Sequence, residues 1–495
     1  MAEIKNQSRI QNYFKDKTIL VTGATGFVGK LVVEKLLRTC NVKKIYLLLR
    51  PKKGNDVYRR FEELCKSDVF VRLRSEKKDS FKNIEAVAAE LTRPNFGMNN
   101  EDLMVIQEEV EVVFHTAATI RFDETLKVAT DTNVKGTEEL LKLCAKLQRL
   151  SSMVYVSTAY SFCVKPELQE KFYEPPMTSS KLYCLTDALD DKATQNILGL
   201  WPNTYVFTKS IAEDCVKRMG NQIPIAMVRP SIIFSTASDP VPGWGDRFTG
   251  ATRMYVGIAQ GYVRTEHLKF DCIADIIPAD YVVNCLLAAA ENVSQHRKSV
   301  GGENIPVYNC VTYRNPISSG KSIQLLIRHA NRFPSTKKIW KSFFIACGNK
   351  QVFLIMFFFL HSLPAYIADF FALCFGRNTR FVQLNQKFGK LLNLLSYFGV
   401  SQWIFDDTNT QALWRGLSKL DQTLYPFDVT RIDWDNYFHS FVMGARKYLH
   451  KETDEMISEG RSRYFKLEVA HYVLIIFISL FVLYIFVSLI NCIAL

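Results

Sequence analysis

The chain has 495 residues, 48% hydrophobic and 22% charged, with 62 Lys and Arg against 49 Asp and Glu for a formal charge of +13. That length calls for two or three domains and a large core. The basic excess holds no short Lys/Arg run interleaved with aromatics, which excludes nucleic acid as a partner and favours anionic lipid or a phosphate-rich substrate. The 12 cysteines are scattered singly, with no C-x-x-C pair and no Cys/His cluster at zinc spacing. Free thiols in a reducing compartment and no metal site are expected. The charged N-terminus has no apolar core of a secretory signal, so the catalytic part is expected in the cytosol.

The apolar run Thr18–Val21 predicts a strand, and Leu31, Val32, Leu36 and Leu37 predict a helix. Between them stands G-x-x-G-x-x-G, with Gly23, Gly26 and Gly29 as its glycines. Missing side chains let backbone N–H groups approach a phosphate, and the helix N-terminus adds favourable charge. Gly23, Ala24, Thr25, Gly26, Phe27, Val28 and Gly29 are therefore the candidate pyrophosphate cradle. A second strand, Lys44–Leu49, ends at Arg50, followed by Lys52 and Lys53. An acid at that place binds the ribose of NAD, whereas an arginine accommodates the 2′-phosphate of NADP. Arg50 and Lys53 thus predict NADPH, with no carboxylate competing.

A Lys/Arg-rich helical insert covers 56–79. Strands follow near Ile84–Ala88 and Val110–His115, then a helix over Thr132–Leu147 and a strand at Met153–Val156. Two hydroxyls, Ser157 and Thr158, sit where that strand ends, the place where ligands bind in doubly wound sheets. Either can hydrogen-bond a substrate carbonyl, and Thr158 is preferred. Asn203–Met219 reads as a helix carrying Tyr205 and Lys209 on one face, one turn apart. That spacing allows the lysine ammonium to lower the phenol's pKa, so that Tyr205 exchanges a proton with a substrate oxygen. The strand Ala226–Arg229 follows, and the alternation predicts βαβ units with a parallel sheet.

After Pro230 the sequence turns to Gly, Pro and Trp (Pro240, Pro242, Gly243, Trp244, Gly245), as substrate loops do. A linker near Asn331–Lys341 leads to a mostly helical, aromatic-rich region ending near Lys451. Within it, Val352–Ala368 is apolar but interrupted by His361 and Pro364, which predicts membrane contact without crossing. From Val469 to Leu495 no residue is charged, and Tyr472–Ile490 is almost continuously apolar. This predicts a transmembrane tail anchor over 468–492, its basic flank (Arg461, Arg463, Lys466) on the cytosolic side. The final Asn-Cys-Ile-Ala-Leu lacks an S-K-L address, which favours endoplasmic reticulum over peroxisome.

Glycine turn, strand-end hydroxyls and Tyr/Lys pair, in this order, resemble the extended short-chain dehydrogenase/reductases. Nearly the whole chain is similar to the alcohol-forming fatty acyl-CoA reductases among them. The matching blocks are Thr22–Lys30, Ile45–Gly54, Val154–Cys163, Tyr205–Lys209, Val228–Ser231, Gly243-Trp244, Ile276–Asn284, Ile432–Trp434, Tyr437 and Gly444–Leu449. The resemblance implies a Rossmann-type doubly wound sheet over 1–335, an apolar membrane-associated segment over 336–360, a helical domain over 361–452, and the anchor. It also implies NADPH-dependent reduction of a long-chain acyl-CoA to a primary alcohol via the aldehyde, with coenzyme A released.

In that scheme Tyr205 is the proton donor, Lys209 its partner and a ribose ligand, and Thr158 or Ser157 the carbonyl polariser. Asn133 would support the proton relay. Ala117, in His115–Ala118, would pass close beneath the nicotinamide ribose, with no catalytic part for His115. The expected partners are a long-chain acyl-CoA and a lipid bilayer, with a homodimer open. Departures from the family are Arg247 after Asp246, Arg253 in place of a usual glycine, and Glu90 where aspartate is common. Two alternatives stand beside this reading: a membrane-bound 3β-hydroxysteroid-type dehydrogenase using NAD, and a non-catalytic lipid-binding pseudoenzyme.

Overall fold

Seven short apolar segments become the strands of one parallel sheet in the computed structural model, which describes residues 7–51, 56–188, 193–246, 250–296 and 305–493. Lys53 and Arg247 lie outside the described residues. The chain forms two units. The first comprises the residues up to Gly245 with Asp275–Pro316 and Ser401–Ile432; the second comprises Asp246–Ala274, Ile317–Val400 and the residues from Asp433. Both are thus discontinuous. Parts of the 1–335 segment pack with the second unit, and 401–432 returns to the first.

The strands of this sheet, all in the first unit, are β1 (Thr18–Thr22), β2 (Lys44–Leu49), β3 (Ile84–Ala88), β4 (Val112–His115), β5 (Ser152–Val156), β6 (Ile225–Pro230) and β7 (Val307–Cys310), in the order β7-β6-β5-β4-β1-β2-β3. Every residue of β1, β4 and β6 is buried, as for strands covered on both faces. At the register Leu48↔Thr22↔His115 the order reverses around β1, so the crevice for a ligand opens beyond Thr22 and His115. Among its helices are α1 (Phe27–Thr39), α2 (Val57–Cys65), α3 (Gly136–Cys144), α4 (Thr204–Met219) and α5 (Ala279–His296). Asn203 caps α4 by accepting from Val206 N at 3.0 Å. The helix expected from Thr132 opens as a π turn, Asp131–Lys135, and the expected 56–79 helix is broken after Cys65.

What draws 401–432 into this unit is specific. Ile404–Phe405 pairs with Glu167–Leu168, Trp403 Nε1 donates to Cys163 O at 2.8 Å, and Arg314 meets Asp407 at 2.9 Å.

The second unit is mainly helical: α6 (Ser319–Arg332), α7 (Lys350–Phe357), α8 (Leu363–Cys374), α9 (Phe381–Val400), α10 (Trp434–Gly444) and α11 (Ile457–Ile493). A π turn at Phe358–Ser362 makes α7 and α8 one continuous rod. Lys350–Cys374 and α11 are long and apolar enough to cross a membrane by length and composition. α11 is a candidate membrane anchor, since Gly460 is its one buried residue among those described.

Candidate active site

The cradle at the end of β1 is built by backbone. Gly23 adopts φ +73°, a left-handed conformation that favours glycine, and a Cβ there would lie 2.7 Å from Ala117 Cα. At Gly29 a Cβ would stand 2.8 Å from Ala24 Cα, so Gly29 is what lets α1 close on the turn. Gly26 N donates to Gly23 O at 2.8 Å, and Gly26 caps α1 with no side-chain partner for the helix's first N–H groups. A pyrophosphate suits those uncapped donors. Phe27 packs on buried Trp244 with ring centroids 5.3 Å apart. The tryptophan expected in a substrate loop is thus part of the wall beside the cradle.

Ala117 packs its backbone against the glycine turn, where a Cβ at Gly23 would meet it. His115 is buried, with Nδ1 2.7 Å from Thr22 Oγ1 and Nε2 3.1 Å from Thr137 Oγ1. Burial first, and then Lys209, pushes its pKa down to about 3. A neutral imidazole with both nitrogens engaged is structural.

At the end of β2, Arg50 is 61% exposed and its guanidinium stands 4.0 Å from Glu90. A carboxylate is therefore nearby, contrary to the expectation of none. Basic groups outnumber it. Arg93 meets Glu90 at 3.2 Å, and Arg60 donates to Arg50 O and, at 3.2 Å, to Thr25 Oγ1. Arg60 ties the end of β2 to the glycine turn. Sequence reading missed it inside the polar insert, where it looks like any solvated helix cation.

The hydroxyls and the phenol meet as follows. Thr158 lies close enough to Tyr205 for its hydroxyl to hold the phenol's pKa down, and the Tyr205 ring stacks on Phe122 at 5.9 Å. Ser157 does not join them: its hydroxyl donates to Glu213 Oε1 at 2.5 Å. Successive residues at a strand end face opposite ways, so only one hydroxyl can serve the crevice. Glu213, one turn beyond Lys209 on α4, also accepts from Arg229 Nε at 3.0 Å and from its terminal nitrogen at 2.5 Å, all three side chains being buried.

Lys209 does not lower the Tyr205 pKa here. Its Nζ donates to Tyr155 OH and Val156 O, both at 2.7 Å. Burial drives the ammonium down to about 7. Burial also raises Tyr205, to about 12, against the lowering effect of Thr158. The phenol therefore keeps its proton at neutral pH, the state a proton donor needs. Asn133 is spent on positioning: Nδ2 donates to Thr208 Oγ1 at 3.0 Å and Thr119 O at 3.2 Å, while Oδ1 accepts from Thr119 N at 2.9 Å. It braces the loop after β4 against the helix that carries Tyr205.

A parallel sheet with a phosphate cradle at its switch point and a Tyr/Lys/Thr set at the next strand end defines a nucleotide-dependent reductase. A family model described as "Male sterility protein" matches residues 21–286, and a second with the same description matches 360–452. The chain is 34% identical over 477 residues to "Fatty acyl-CoA reductase wat" of Drosophila melanogaster, covering 95% of this chain and 92% of the relative. It is 33% identical to human "Fatty acyl-CoA reductase 1", covering 94% and 90%. The solved reductase domain of a nonribosomal peptide synthetase from Mycobacterium tuberculosis shares the fold, with TM-score 0.60, 18% identity, and 88% and 92% of the two chains covered. The chain belongs to the fatty acyl-CoA reductase family of oxidoreductases.

Proposed function

We propose that this protein reduces a long-chain fatty acyl-CoA to the primary alcohol through the aldehyde, consuming two NADPH and releasing coenzyme A. The observation that carries the reading is Tyr205 standing beside Thr158 just past the end of β5, in the sheet whose switch point holds the glycine cradle. A reduced nicotinamide, when bound, supplies hydride to the carbonyl carbon. Tyr205 and Thr158 hydrogen-bond the oxygen on which charge then develops. Collapse of the resulting tetrahedral centre expels the thiolate and leaves an aldehyde. On the second reduction Tyr205 gives its proton to the alkoxide. Lys209 would hold the ribose and Gly23–Gly29 the pyrophosphate. α11 would span a bilayer of the endoplasmic reticulum with Arg461, Arg463 and Lys466 on the cytosolic side, suiting a substrate and product that partition into lipid.

NADPH oxidation with a panel of long-chain acyl-CoAs, followed by lipid extraction, tests the reading. Alcohol is expected. Alcohol oxidation with NAD would favour the steroid-type dehydrogenase, and no turnover the pseudoenzyme.

Two binding experiments bear on the coenzyme. Arg50→Ala should raise the Kd for NADPH about tenfold to a hundredfold, the loss of one charge-assisted contact, and leave NADH nearly unchanged. Fluorescence titration with each coenzyme reads the difference. Because burial drives Lys209 down to about 7, its contact to the ribose loses its charge as pH rises past that value. NADPH affinity should fall by about tenfold in all across that range, the difference between a charge-assisted and a neutral hydrogen bond, and Lys209→Met should flatten the dependence.

A further inference from the structure

We propose that α7–α9 form a second lipid-contacting surface, a helical hairpin lying in the headgroup plane of an anionic leaflet beside the entry point of α11. It rests on the reading of α11 as a membrane anchor. Tyr366, Ile367, Phe370, Phe371, Phe375 and Phe381 are all exposed, Phe375 by 76%. An apolar patch of this extent on a folded surface marks an interaction site. The hairpin has a defined shape. Phe388 and Leu392 of α9 pack inward, and the Asp369 carboxylate closes the turn by accepting from the N–H groups of Arg380, Phe381 and Val382 at 3.0, 3.0 and 2.9 Å.

Charge selects the occupant. Residues 350–400 contain Lys350, Arg377, Arg380, Lys387 and Lys390 against one acid, Asp369. Aromatics with a basic rim suit anionic headgroups over acyl chains. α9 carries Gln383, Gln386 and Asn393, so although Lys350–Cys374 alone is long enough to cross, its partner helix is too polar to follow it and the pair fits the interface instead.

Position agrees as well. Arg264 donates to Leu360 O at 2.9 Å, at the π turn midway along the α7–α8 rod, and its guanidinium sits 5.7 Å from the Trp340 ring centroid. Trp340 Nε1 donates to His471 Nδ1 at 3.0 Å, and Lys341 donates to Tyr472 OH at 2.5 Å, where the apolar run of α11 begins. These contacts tie the middle of the α7–α8 rod, through Arg264 and Trp340, to the start of the anchor, so a bilayer receiving one meets the other.

Three exposed thiols, Cys184, Cys374 and Cys492, allow the test. Full-length chains carrying C65S and all but one of C184S, C374S and C492S are labelled with an environment-sensitive fluorophore. They are then reconstituted into phosphatidylcholine/phosphatidylserine vesicles containing nitroxide lipids. Emission from Cys374 should be largely lost to nitroxides near the acyl carboxyl and less affected by nitroxides near the terminal methyl, while Cys184 stays bright. A Cys374 probe as bright as Cys184 beside a quenched Cys492 probe overturns the hairpin proposal and spares the anchor. Loss at Cys374 with a bright Cys492 removes the anchor reading and overturns the placement of the hairpin beside α11, leaving lipid contact by the patch alone. Stronger quenching from the methyl end overturns the in-plane placement. Self-quenching of Cys374 that grows with protein density and ignores the nitroxides would assign the patch to a second copy of the chain and overturn the lipid proposal.

Discussion

Replacing Tyr205 by phenylalanine should lower kcat for acyl-CoA reduction by about 10² to 10⁴, the range for removal of a positioned proton donor. The substitution removes one oxygen from a ring that stacks on Phe122, so the packing of α4 is kept. NADPH affinity should stay within about twofold of the parent, because the cradle at Gly23–Gly29 is untouched. Stopped-flow reduction with coenzyme-binding titration separates the two effects. Loss of coenzyme binding in the variant would mean that Tyr205 serves the cradle and not the carbonyl. Thr158→Val should fall in the same direction by less, since Tyr205 still reaches the oxyanion. Ser157→Ala should act on stability, because its hydroxyl belongs to Glu213.

The second large effect is structural. Glu213→Ala should destabilise the first unit by about 3–5 kcal/mol, because it strands the Arg229 guanidinium, 2% exposed, without its carboxylate. Arg229 would still donate to Gln169 O at 3.1 Å and Lys171 O at 2.9 Å, two neutral acceptors that do not balance the charge. The double variant Glu213→Leu/Arg229→Met should recover most of the loss, since an apolar pair of similar volume carries no buried charge. Urea unfolding of the full chain in detergent checks both. Equal destabilisation by the single and double variants would show that packing, and not the stranded charge, sets the cost.

The strands of the first unit were legible because their apolar runs are bounded by turn residues. β2 and β3 match the sequence reading residue for residue, and β6 is one residue longer at each end. β7 escaped it: the four residues Val307–Cys310 include Asn309, whose side chain donates to Leu168 O at 3.2 Å and Asp406 O at 2.7 Å. A polar side chain used for long-range bonding breaks the pattern that marks a strand. The return of 401–432 to the first unit has the same origin, since strand pairing between Ile404–Phe405 and Glu167–Leu168 leaves no local signal.

In the site, i, i+4 spacing placed Tyr205 and Lys209 on one face, but spacing says nothing of where an ammonium points. Tyr155 and Val156, from the neighbouring strand, take it. Glu213 continued the same series at i+8, and this was the available signal for the buried pair with Arg229. Arg60 had none, because what distinguishes it is a contact with Thr25 across 35 residues.

The most direct measurement of the central claim uses NADPH carrying deuterium in the transferable position, a long-chain acyl-CoA and mass spectrometry of the extracted lipid. The account predicts a primary alcohol with two deuterium atoms on C1, formed by the parent chain and lost in Tyr205→Phe. An unlabelled product, or label transfer undiminished in Tyr205→Phe, would contradict it.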